Sequence, residues 1–164
     1  MFSLHLSTHQ RWDIAGIDGL AVAKTLFGES VNHIAPFQSL ETHLNGMPCS
    51  VLRLCEGNFR VSGHSAELAQ INQLIPINQR VWVKQLDWLS AIVIPEAIGL
   101  SRLTELAIAK PPYRLSSLAV NCAVPARIQG IAVLVWRHSV QEQPAFELHL
   151  ATADLNQIQA EFQE

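Results

Sequence analysis

Residues 125–164 place the tightest constraint on how this chain can fold. Arg127-Ile-Gln-Gly-Ile-Ala-Val-Leu-Val-Trp136 is a nearly unbroken apolar run. It falls well short of the roughly 20 residues a membrane-spanning helix needs, so it reads as a buried strand. A polar turn over 141–144 leads into Phe146-Glu-Leu-His-Leu150. The period-two alternation there predicts a strand with one face buried and Glu147 and His149 on the other. Apolar residues over 154–162 recur at helical spacing and predict a short surface helix. The module is strand, turn, strand and helix, with no chemical motif in it.

The rest of the chain repeats this style. Phe2, Leu4 and Leu6 alternate with polar residues and predict a half-buried first strand. Residues 17–27 suit a short helix with Asp18 at its start and Gly28 as a left-handed cap, in competition with a strand over 12–17. Asn45-Gly46 is a hairpin turn signal, because both residues tolerate positive φ. It predicts paired strands at 33–40 and 48–54, and Gly57-Asn58 marks a second turn before residues 59–61. Residues 65–75 form the clearest helical pattern, with Leu68, Ile71, Leu74 and Ile75 on one face and Pro76 ending it. Residues 80–84 and 89–94 read as strands joined around 85–87. Residues 96–109 fit either a helix or a strand and loop, and Lys110-Pro-Pro-Tyr113 predicts an extended loop. Short strands between frequent turns favour barrels over a doubly wound sheet.

A chain of 164 residues suits one domain, residues 1–164. Its net charge is −3 and its Lys and Arg residues do not cluster, which removes the main term in nucleic-acid affinity. The N-terminus has no signal-peptide pattern and no apolar run suits membrane insertion. Three cysteines, Cys49, Cys55 and Cys122, fit a reduced cytoplasm better than a disulfide framework.

No residue pattern in the chain marks a reactive site. His5 and His9 have a ligand spacing only on a helix, and that stretch reads as strand and turn, so no metal site is expected. The cysteines read as small buried hydrophobes. No serine sits in a nucleophile elbow, and Ser62-Gly63-His64-Ser65 serves best as a helix cap. Asp13 and Asp18 flank turn glycines, while Glu96 and Glu105 read as solvated. Trp82, Trp88 and Trp136 lie in predicted strands, where core packing is the default. No cofactor and no catalytic residue is expected, with an enzyme using His64, Ser65 or a cysteine kept as a minor alternative.

Over residues 80–155 the order of segments resembles the CheW-like coupling domains of bacterial chemosensory arrays. The residues that carry it are Arg80-Val-Trp-Val-Lys84, Ala91-Ile-Val-Ile-Pro-Glu-Ala-Ile-Gly-Leu100, Lys110-Pro-Pro-Tyr113, Ile128-Gln-Gly-Ile-Ala-Val-Leu134 and Phe146-Glu-Leu-His-Leu-Ala-Thr-Ala-Asp-Leu155. His43-Leu-Asn-Gly-Met-Pro-Cys-Ser-Val-Leu-Arg-Leu54 is similar to the family's glycine-to-leucine hairpin. Asn45 stands where the family usually has arginine, and Pro95 where it has an acid. The resemblance implies a mainly β fold with a few short helices, built as two small five-stranded β-barrels; a single-sheet α+β fold is the alternative. It implies a non-catalytic cytoplasmic scaffold in a chemosensory or pilus-linked complex. The implied partners are a histidine kinase regulatory domain or a chemoreceptor-like protein, met through Asn45, Gly46 and Met47. A small-molecule or lipid-binding domain is the other reading.

Overall fold

Two antiparallel sheets organise the chain. The structure, a computed structural model, describes residues 4–64 and 68–163. Phe2 and Ser65 to Glu67 of the predicted elements lie outside those residues. Contacts divide the chain into two compact units, residues 8–87 and residues 1–7 with 88–164.

The first of these units carries a sheet in the order β3-β4-β5-β2-β6. Its strands are β2 (Gln10–Gly16), β3 (Ser39–Leu44), β4 (Met47–Cys55), β5 (Asn58–Gly63) and β6 (Val81–Gln85). The Asn-Gly signal does what its chemistry requires: Asn45 and Gly46 take φ of 53° and 80° and close the β3–β4 hairpin. The strand before that turn is Ser39–Leu44 rather than 33–40, because a two-residue turn pairs the residues that adjoin it. The strand and helix readings of residues 12–27 are both realised in sequence, as β2 and then α1 (Gly19–Phe27). Gly28 has φ 92° and ψ 176°, so it turns the chain without the left-handed geometry expected of it. Val22, Ala23 and Phe27 of α1 pack with Ile14, Val51, Phe59 and Val61 of the sheet. Of the 65–75 helix, α2 (Ile71–Leu74) is a single turn whose buried residue is Ile71.

The other unit carries the order β1-β7-β11-β10-β9-β8. Its strands are β1 (His5–Leu6), β7 (Leu89–Pro95), β8 (Ala107–Ala109), β9 (Cys122–Ile128), β10 (Ile131–Val140) and β11 (Gln143–Ala151). The apolar run over 127–136 is therefore a hairpin, not one strand. Gln129 and Gly130, at φ 49° and 80°, turn β9 into β10. Gln141 and Glu142 repeat the device between β10 and β11. Residues 96–109 hold both predicted alternatives, α3 (Glu96–Leu106) followed by β8, and Lys110 to Tyr113 closes a turn through Tyr113 N–H to the Lys110 carbonyl. The closing helix is α4 (Leu155–Gln163). Ile92, Ile94, Val124, Val133, Val135, Phe146 and Leu148 share one face of this sheet. Leu103 of α3 and Ile158 and Phe162 of α4 pack into the same core.

Neither sheet closes into a barrel, so the expected pair of five-stranded barrels is replaced by two open sheets. Strands β6 and β7, adjacent in sequence, belong to different sheets. Among the described residues no helix is long and apolar enough to cross a membrane.

Candidate functional site: a buried carboxylate between two imidazoles

The central strand pair β10–β11 sets Trp136 opposite Glu147 and Leu134 opposite His149. Strand alternation puts Trp136, His138, Glu147 and His149 on the face turned away from Phe146 and Leu148. Glu147 and His149 were expected on the open side of a half-buried strand, yet Glu147 is 0% exposed, and His149 and the neighbouring His138 are each 2% exposed.

The Glu147 carboxylate uses both oxygens. Oε2 lies 2.9 Å from His138 Nε2 and Oε1 lies 2.6 Å from His149 Nε2. Each imidazole donates to the ionised carboxylate when its proton is on Nε2. Trp136 fixes both rings, stacking on His138 at 3.7 Å and meeting His149 edge-on at 5.7 Å. Burial alone would raise the Glu147 pKa. The two imidazole hydrogen bonds and charges overcome it and hold the carboxyl far below its usual range. A carboxylate engaged at both oxygens and shut off from solvent is arranged to hold β10 and β11 in register.

Other polar groups are also paired. Asp13, expected in a turn, lies in β2 and takes a two-pronged ion pair from Arg60 at 2.9 and 3.2 Å. Arg53 donates to the carbonyls of Ile34, Cys55 and Glu56. Glu96, read as solvated, accepts from Arg137 at 2.8 Å, which holds its pKa below the usual carboxylate range. Asp18 caps no helix by its side chain and accepts the Arg80 backbone N–H at 2.7 Å.

The tryptophans split. Trp136 is core, whereas Trp82 is 55% and Trp88 51% exposed, against the core expectation. Asn45, Gly46 and Met47 form the exposed tip of the β3–β4 hairpin. Cys49 and Cys55 do not share a face, because the β4–β5 pairing slips between Arg53 and Cys55. Burial, aided by the Glu41 charge, pushes the Cys49 thiol up to about 12. At pH 8 roughly one Cys49 in ten thousand is then thiolate. Iodoacetamide followed by mass mapping should label the exposed Cys55 well before Cys49; equal rates would contradict this burial. No signal in the sequence marked Glu147 as special, since Glu-x-His on an alternating strand is what a solvated face looks like.

A second feature is a groove of about 710 Å³ where β8, β9 and the start of β10 meet. Apolar side chains line it together with Lys110, Arg127 and Gln129.

No protein-family model and no curated protein matches the sequence. Solved structures do match. The chain is similar to glycine cleavage system aminomethyltransferase T from Bartonella henselae, at TM-score 0.76 and 14% identity, over 96% of this chain and 44% of that one. It is also similar to a chain of the heterotetrameric sarcosine oxidase from Corynebacterium sp. U-96, at TM-score 0.66 and 17% identity, over 94% of this chain and 77% of that one. What is shared is the fold. The chain spans under half the length of the aminomethyltransferase. These matches overturn the CheW-like reading, the chemosensory scaffold and its kinase and receptor partners. Strand order and weak motifs misled because turns and alternation recur in any antiparallel protein, and the order of segments does not reveal which strands pair.

Proposed function

We propose that this chain is a subunit of a heteromeric enzyme acting on N-methyl or aminomethyl groups of small amines. The observation that carries the reading is the sarcosine oxidase match: 94% of this chain lies on 77% of one chain of a heterotetramer. The aminomethyltransferase match supports the same chemical class through the fold. Exposed Trp82, Trp88 and Ile108 supply apolar surface of the kind that anchors subunit contacts. In this reading the chain contributes structure to the assembly and its Glu147 cluster stabilises it. A cytoplasmic location belongs to the same proposal.

The test is purification of the tagged chain from its own cells, with light-scattering mass and sarcosine-dependent oxygen uptake measured across the fractions. A mass well above 18.2 kDa, with turnover in the same fractions, is expected. A monomer with no turnover alongside it would overturn the proposal.

A further inference from the structure

Strand β8 is the outermost strand of its sheet. The Lys110 N–H donates to the Pro125 carbonyl at 2.9 Å, so alternation turns the backbone groups of Ile108 toward β9 and those of Ala109 outward. The Ala107 N–H is taken by the Leu103 carbonyl at the end of α3. The Ala109 N–H and carbonyl thus form an open edge. Natural edges are commonly guarded by charge or proline, yet the side chain at the middle of β8 is Ile108, 79% exposed.

Register adds charge to that edge. Ile108 pairs with Arg127, so Ile108, Lys110 and Arg127 share one face, with the two cations related diagonally. No acid is among the residues lining the groove beside them. Glu161, on α4, is tied to the Gln129 amide at 3.2 Å, and one Arg127 nitrogen donates to the Gly130 carbonyl at 2.7 Å.

We propose that this groove docks an extended acidic and apolar segment of a partner chain. The segment adds a strand at Ala109, rests an apolar side chain on Ile108 and sets a carboxylate between Lys110 and Arg127. A peptide is favoured over a free acid because the outward backbone groups of Ala109 match a peptide and have no counterpart in a fatty acid. The inference deepens the subunit reading and relies on it only for the source of the segment.

The test uses the full ¹⁵N-labelled chain, titrated with acetyl-Thr-Val-Thr-Glu-Thr-amide, whose Val and Glu share one face of an added strand, with its counterpart carrying lysine in place of glutamate, and with octanoate. The acidic peptide should shift the groove amides and slow exchange at the Ala109 amide. The pair Lys110→Glu and Arg127→Glu should weaken binding about tenfold or more, the size of a lost charge contact. Ala109→Pro removes the outward N–H without touching a bond to β9 and should weaken it as well. Equal binding of the lysine peptide, no effect of either substitution, or octanoate alone shifting the groove would overturn the proposal. Peptide failure with an intact assembly removes the groove and leaves the subunit reading standing. A monomer that binds the peptide does the reverse.

Discussion

Glu147→Ala is expected to lower stability by about 3–5 kcal/mol, the range for deleting one member of a buried charged network. A domain of this size has about 5–15 kcal/mol in all, so the loss is a large share of it. Two imidazoles lose their acceptor in a place without water, and the carboxylate side chain leaves a cavity beside Trp136. Glu147→Gln keeps the shape and one acceptor oxygen, and should cost less, about 1–3 kcal/mol. The wild-type cluster also sets a pH dependence. The folded carboxyl titrates below its unfolded value of 4.5, so its contribution is fully present above that value. It is lost as pH falls below 4.5 toward the depressed folded value. Urea unfolding followed by circular dichroism at pH 7 and at pH 3 measures both effects. A loss under 1 kcal/mol for Glu147→Ala, or for the wild type the same urea midpoint at both pH values, would remove the structural role given to this cluster.

The second large effect is at Gly16, where Gly16→Ala should cost about 3 kcal/mol. Gly16 ends β2 at φ 147°, a conformation L side chains rarely adopt, opposite Val81 of β6. A Cβ there would collide with the Arg80 carbonyl oxygen, which belongs to backbone and has nowhere to go. The pairing of β6 with β2 would give way first, seen as faster amide exchange across residues 81–85 before global unfolding. Gly130→Ala is the control: φ is also positive, at 80°, but the space is open, so about 1 kcal/mol is expected. If Gly16→Ala costs no more than Gly130→Ala, close backbone approach is not what requires glycine at residue 16.

How much of this was legible before the structure differs from feature to feature. Turn chemistry read well at Asn45-Gly46, because positive φ is a local steric matter; the polar turn read over 141–144 is narrower, at Gln141-Glu142, with Gln143 and Pro144 already paired in β11. The same chemistry at Gln129-Gly130 was hidden inside an apolar run, where hydrophobicity outweighed the glycine. The closing helix was visible because its apolar period involves only its own residues. Trp82 was misplaced because a strand has two faces, and its own residues do not say which one is covered.

The closing forty residues illustrate the division. Their sequence alone determined a polar turn, an alternating strand and an amphipathic helix, since each depends on interactions between residues a few positions apart. Only the tertiary structure decided that Glu147 and His149 lie in the dark, beside His138 and Trp136, rather than in water. Alternation reports that two faces differ in polarity, but burial depends on segments distant in the chain. A buried carboxylate is stable only if they bring it hydrogen-bond donors.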